Sequence, residues 1–526
     1  MKGRFITSLL AVFAIAGLQA QDVQVPKLVV GLTIDQLRMD YIEAFSSMYG
    51  EHGFKRLWKE GRVYRNAEYD FTDVDKASSV AAIYSGANPF VNGIVGDSWL
   101  DRGTLRVINC VDDSDFMGVY TSESTSPNRL KVSNLSDELM IATQGGAEVY
   151  SIAPTREMAV LSAGHASKGA FWINDETGKW GGTTYYGTFP SWVSNYNDHK
   201  GLDFRINDLA WEPYLPASFY KYLTSDVKQT AFKHKFSNER KNKYRKFKTS
   251  PYVNEEVNRL VNACFNSTTI GQDLIPDLLN LSYYAGNYDH GPAIEHPLEI
   301  QDVYVRLDAS IAELLELIDR KVGLANTLFF ITSTGYSDSE PIDPPQYRIP
   351  NGEFHIKRCV ALLNLYLAAI YGEGLYADAY TEQEIYLNHK FIEQKHLNLA
   401  EILNRSSEFL VQFSGVKQVY SSHRLMLGAW TPEMEKIKNS YNPFCSGDLL
   451  IEVLPGWTIV RDHSLDTKVV RNIYTSAPLF MMGWDVRPQI IHTPIKIGQI
   501  APTLAHFMRI RAPNAATLPP MTDIRK

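Results

Sequence analysis

The sequence predicts an α/β protein with a mainly parallel central sheet flanked by helices and with cap insertions. The first observation is KLVVGLTID from Lys27, a continuous apolar run rich in β-branched residues that ends on Asp35 and reads as a buried strand. An amphipathic stretch follows, with Met39, Tyr41, Ile42, Phe45 and Met48 at helical spacing, and then FKRLWKEG, where Gly61 stops a helix. A strand followed by a helix points to a parallel sheet. The second observation repeats the pattern: DVYVRLDASIAELLELIDRKVG (Asp302 to Gly323) is periodic as a helix, and NTLFFIT (Asn326 to Thr332) is an apolar strand. The third is APLFMMGW (Ala477 to Trp484) ahead of IAPTLAHFMRI (Ile500 to Ile510). Units spread this widely imply one discontinuous domain over residues 21–526, with insertions at about 150–275 and 336–460. Such insertions are expected over the carboxyl ends of the strands, where open α/β sheets bind ligands.

With 526 residues, 44% of them hydrophobic and 21% charged, the chain has ample material for a packed core, which excludes disordered and collagen-like classes. Cys110, Cys264, Cys359 and Cys445 lie far apart without a CxxC, so neither a zinc ribbon nor a disulfide framework is read. Residues 1–20 form a secretory signal: Lys2 and Arg4 precede the apolar run Ile6 to Leu18, and Ala20 ends a small-residue cleavage point. Cleavage there removes two cations from a chain of net charge -7, and no later run is long and apolar enough to span a bilayer. The expectation is an exported protein of the periplasm or cell envelope. Lys228 to Lys248 carries nine Lys and Arg interleaved with Phe232, Phe236, Tyr244 and Phe247. On a net-acidic chain without a nucleic-acid motif it reads as a solvated insertion, and no nucleic acid is expected as a partner.

The stretches VVGLTIDQLRMDY, GFKRLWKEG, AAIYSGANPFVNGIVGDSWLD, SAGHASKGAFWINDETGKW, RLDASIAELLELIDRKVG and APLFMMGWDV with IAPTL resemble the alkaline phosphatase superfamily. The resemblance is to its phosphate-irrepressible branch, close to type I phosphodiesterases and nucleotide pyrophosphatases, and runs from about Lys27 to about Asn514. It implies two zinc ions, held by three Asp and three His, that clamp a phosphoryl oxygen and activate a Thr or Ser nucleophile. Asp35 keeps the first ligand, at the end of the first strand. Aligned on Ile83-Tyr84-Ser85-Gly86, the nucleophile position holds Lys76. The Asp and the His four residues later fall on Asn287 and Gly291, with Asp289 and His290 nearby at the wrong spacing. The adjacent Asp-His pair falls on Thr334 and Gly335, and the last His on Thr467, four residues from His463. The phosphate-contacting Asn corresponds to Asp97, and the Lys and Arg pair maps near Thr155 and Glu157. An acid in place of an amide, and lost cations, disfavour a phosphate dianion.

These departures lead to the expectation of an inactive homologue with no catalytic residue and no cofactor, acting as a binding or scaffold component for an envelope protein or glycan. The alternative is a metal-dependent phosphomonoesterase or phosphodiesterase using zinc, with Asp35, His290 and His463 as candidate ligands, joined by Asp289, Asp462 or Asp466. With the hydroxyl replaced by an ammonium, Asp35 and Lys76 are expected within salt-bridge distance.

Overall fold

The run from Lys27 forms β1 (Leu28–Asp35), buried along its full length. In the computed structural model the described residues are 25–222, 231–239, 242–336 without 292 and 294, 350–428, 431–460, 467–469 and 476–525 without 523. The signal segment, His463, Asp462 and Asp466 lie outside them. The other strands of the principal sheet are β2 (Arg62–Glu68), β3 (Gly118–Val119), β4 (Val149–Ala153), β5 (Gly169–Ile173), β6 (Trp180–Thr183), β7 (Asp277–Tyr284), β8 (Thr327–Ser333), β9 (Ser476–Gly483) and β10 (Gln489–Ile491). Their order is β10-β2-β9-β8-β1-β7-β4-β5-β6-β3, with Ile495–Lys496 also beside β2.

The five central strands β8, β1, β7, β4 and β5 are mutually parallel, and β9 and β6 flank them antiparallel. Parallel neighbours need helical crossovers, and the chain supplies them with α1 (Lys76–Ser85), α2 (Arg156–Ala163), α3 (Tyr252–Ser267) and α4 (Pro297–Lys321), while α5 (Ile500–Met508) follows the last strand and packs on the α1 side. The sheet divides the core: Val30, Leu32 and Ile34 of β1 face one apolar cluster, which includes Leu260 and Leu314, while Val29 faces another with Val80, Leu161 and Leu504. Gly31 faces that second side because a Cβ there would stand 2.6 Å from the Phe330 ring and 2.8 Å from the Tyr84 hydroxyl. That close approach seats α1 on the strand that carries Asp35.

Between β8 and β9 a cap subdomain carries a four-stranded antiparallel sheet (Ala377–Tyr380, Glu384–Leu387, Leu449–Val453, Val416–Ser421) with its own core around Leu363, Leu403 and Ile451. The expected insertion at about 150–275 is corrected, because β4, β5, β6 and the start of β7's approach through α3 belong to the principal sheet and its helical layer. Among the described residues no helix is long and apolar enough to cross a membrane.

Candidate active site

Register places the site. Asp35 on β1 stands opposite Tyr284 on β7, and Ile34 opposite Ser333 on β8, so the residues that follow these strands emerge at one carboxyl edge. Asp35, Asn287 and Thr334 are all buried there. Thr334 Oγ1 donates to Asp35 Oδ1 at 2.6 Å, and the Thr334 amide donates to the Ile34 carbonyl at 3.2 Å. Gly335 adopts φ 81°, a left-handed turn that glycine takes without strain, and its amide donates to Ser333 Oγ at 3.0 Å. Ser79 Oγ on α1 donates to the Thr334 carbonyl at 2.8 Å, tying the helix to this strand end.

The start of α1 is fixed by a capping box in which Ser78 N donates to Asp75 Oδ1 at 2.8 Å and Asp75 N donates to Ser78 Oγ at 3.1 Å. Lys76 is therefore the first residue of α1. Its ammonium lies 3.0 Å from Asp97 Oδ2 and 4.0 Å from Glu157 Oε2 on α2. Asp97 N donates to the second oxygen of Asp75 at 2.6 Å, and Asn109 Nδ2 donates to Glu157 Oε1 at 2.6 Å. Arg156 extends the network to Asp112 at 2.8 Å and Glu123 at 3.5 Å.

Electrostatics separate the members. Burial opposes the charge on Lys76, but Asp97, Glu157 and then Asp35 outweigh it and hold its pKa well above the ordinary value. Burial raises the Asp97 carboxyl to about 8 against the attraction of Lys76, with Asp75 and Glu157 adding repulsion. Glu157 meets the same burial, yet Lys76, its own backbone amide, Arg156 and Asn109 bring it down to about 2. One ammonium thus holds Glu157 ionised while Asp97 titrates near neutrality.

The expected Asp35 to Lys76 salt bridge is corrected: among the described residues Lys76 pairs with Asp97 and Glu157, and Asp35 attracts it only from longer range. Thr334 Oγ1 is one of the groups that meet Asp35 in its place. The positions assigned from the resemblance do converge in space at Asp35, Lys76, Asp97, Glu157, Asn287 and Thr334. Thr467 lies instead on a short strand, Thr467–Val469, paired with Thr458–Val460. Asp289 and His290 are exposed and adopt φ 51° and 57°; Asp289 faces Lys246 at 3.5 Å, and His290 Nδ1 lies 3.3 Å from the Tyr284 hydroxyl. At Gly291 a Cβ would stand 3.6 Å from the His296 ring.

A cluster that sequence reasoning missed lies beside these residues. His234 Nε2 and His296 Nδ1 both reach Glu299 Oε1, at 3.1 and 3.3 Å, within rings from Trp211, Phe232 and Tyr288. Burial raises the Glu299 carboxyl, but these two imidazoles outweigh it and lower it to about 2. The His296 to Glu299 spacing was its one local signal. In the basic segment, Lys233 pairs with Glu212, Lys246 with Glu239 at 3.0 Å and Lys248 with Asp175, so much of its charge is spent inside the protein.

The profile of type I phosphodiesterase / nucleotide pyrophosphatase matches residues 29–485. The chain belongs to this family. It is 27% identical to alkaline phosphatase PafA of Elizabethkingia meningoseptica over 99% of this chain and 98% of that protein. It is 28% identical to alkaline phosphatase PhoV of Synechococcus elongatus, covering 96% and 94%. A Myroides odoratus protein named calcium-transporting ATPase is also 28% identical, covering 98% and 97%. The crystal structure of wild-type PafA superposes with a TM-score of 0.85 over 96% of this chain and 100% of its own.

Family membership corrects the expectation of no cofactor: members of this family with alkaline phosphatase relatives are metal-dependent, typically on zinc, and zinc was the alternative. The donor set of this chain was the test of how such an ion would be held. At the assigned ligand positions only Asp35 offers a charged donor beside Asn287, Gly291, Thr334 and Gly335, and one of its oxygens already accepts from Thr334. Among the described residues no three His, Cys, Asp or Glu side chains come together as a metal site. This donor set of the described residues does not fit a two-zinc centre, and no chemical step is derived through one.

Proposed function

We propose that this family member does not turn over phosphate esters and serves as an exported binding or scaffold component of the cell envelope, engaging an envelope protein or glycan. The observation that carries the reading is Lys76 at the nucleophile position, its ammonium held by Asp97 and Glu157. A protonated amine has no lone pair with which to attack phosphorus, and the carboxylates around it keep it protonated. Asp97 and Glu157 stand at the positions that the family resemblance gives to phosphate contacts. The ionised Glu157 opposes the developing charge of a phosphoryl transition state instead of stabilising it, and Asp97 adds its own charge in alkaline solution.

The test is hydrolysis of an aryl phosphate monoester and an aryl phosphate diester by the purified protein with zinc supplied. The expected rate equals the buffer blank. Zinc-dependent turnover abolished by Asp35→Ala would overturn the reading and establish a hydrolase of the kind that the relatives' names describe. Lys76→Thr is expected to restore nothing, because residues 287, 291, 334 and 335 stay as they are. Export is tested by fusing residues 1–24 to a reporter that is active only outside the cytoplasm.

A further inference from the structure

The two residues that approach Lys76 and Glu157 from outside the sheet, Asp97 and Asn109, sit at the two roots of one β-hairpin. Its strands Ser98–Asp101 and Arg106–Asn109 pair with Ser98 opposite Asn109 and Asp101 opposite Arg106. At the roots, Asp97 meets Lys76 at 3.0 Å, Asn109 donates to Glu157 at 2.6 Å, and Cys110 N donates to the Asp97 carbonyl at 2.9 Å. The tip reaches into the cap subdomain. Arg102 NH1 donates to Asp448 Oδ2 at 3.0 Å, NH2 donates to the Ser446 carbonyl at 2.8 Å, and the guanidinium lies 4.9 Å over the Tyr386 ring. Asp448 is buried and braced on the cap side by the Leu387 amide at 2.8 Å and His389 Nε2 at 2.9 Å.

A two-stranded ribbon this short is not stable alone: Trp99, Ile108 and Cys110 pack its root side on the principal core, and the cap holds its tip. Val107, directly opposite Leu100, is 64% exposed, and Leu105 in the turn is 47% exposed. On that face Leu100 packs against Ala379 and Tyr386 of the cap, the same ring that Arg102 covers. The planar guanidinium, with two donors fixed in direction, sets both the distance and the angle of the tip in a way that an apolar contact does not.

We propose that Arg102 is a positioning residue: by seating the hairpin tip in the cap it holds the roots, Asp97 and Asn109, against Lys76 and Glu157. The cap thereby sets the charge arrangement at the carboxyl edge of the sheet, and an event that shifts the cap is felt at the site. This deepens the reading of the site given above and rests on it only for the biological use of the coupling.

The experiment is a carboxyl 13C titration of Asp97 in the full chain, assigned by its loss in Asp97→Asn. The groups facing that carboxyl are Lys76, Asp75 and Glu157, and none of them is altered by changes at Arg102. In Arg102→Ala and Arg102→Gln the freed root gains water, and the midpoint falls from about 8 by about one pH unit. The Asp97 and Cys110 amides exchange about tenfold faster in both variants. Arg102→Lys recovers part of the shift, and His389→Gln, which touches Asp448 from the cap side alone, gives none. Midpoint and root amides unchanged in Arg102→Gln, with faster exchange confined to residues 101–106, would overturn the proposal. If Arg102→Ala fails to fold, Arg102→Gln decides. Phosphatase turnover would defeat the proposed function and leave this titration result untouched.

Discussion

The two halves of the carboxyl-edge site depart from the family pattern in opposite ways. In the half at the strand ends, positions assigned to metal ligands hold Asn287, Gly291, Thr334 and Gly335, and the surviving Asp35 accepts from the Thr334 hydroxyl at 2.6 Å. In the half at the helix starts, charge has been added: Lys76, Asp97 and Glu157 replace a hydroxyl, an amide and a cation, and they form ion pairs with one another. The contrast teaches that a buried site which gains charge must gain both signs together, whereas one with fewer charges can draw on hydroxyl donors such as Thr334.

That contrast is sharpest if the charged half bears the larger load. Lys76→Ala leaves Glu157, only 9% exposed, and the partly exposed Asp97 without their ammonium, and should lower stability in urea melts by about 2 to 3 kcal/mol after allowance for solvent screening. A loss smaller than that of Thr334→Val would break the comparison.

Next in size are two pH effects of opposite sign. Glu157 has its pKa depressed from 4.5 to about 2, so the stability it contributes is present above 4.5 and is lost as pH falls through 2. Asp97 has its pKa raised from 3.8 to about 8, so its contribution is present below 3.8 and is lost as pH rises through 8. Asp97→Asn should remove the second loss, flattening Tm between mildly acidic and mildly alkaline buffer by the equivalent of about 1 to 2 kcal/mol. An unchanged slope would show that Asp97 shares the low pKa of Glu157.

In the neutral half, Thr334→Val removes one hydrogen bond to a carboxylate and should cost about 1 to 2 kcal/mol in the same melts. The smallest effect belongs outside both halves. Lys246→Ala, which breaks pairs with Glu239 and Asp289, should change stability by at most about 0.5 kcal/mol.

Much of this was legible in the sequence. Leu28 to Asp35, Thr327 to Ser333 and Ser476 to Gly483 are long apolar strands, and the periodicity that starts at residue 302 follows the helix Pro297–Lys321 to its end. The positions of Lys76, Asp97 and Glu157 followed from ungapped spacing around recognisable stretches. The partner of Lys76 did not, because spacing along a chain does not say which of three carboxylates the ammonium reaches first. Nor did it show that Thr334 would donate to Asp35. The strands VYSIA and GAFWI escaped notice because each has five residues and starts or ends beside small residues, too short to announce a buried strand. The Glu299 cluster joins His234 to His296 across segments distant in the chain, which no local pattern records.

The strand order has a consequence for the timing of folding. Arg62 pairs with Met481 and Leu328 with Gly483, so β9 is the piece that joins β2 to the rest of the sheet. A ribosome delivers residues 476–483 near the end of synthesis, and until then the edges of β2 and β8 have no neighbour between them. Pairing over so large a sequence separation is slow. The nascent chain therefore spends most of its synthesis unable to close its sheet, and a chain ending before Ser476 would expose an open apolar edge that seeks other chains instead of settling as a smaller domain.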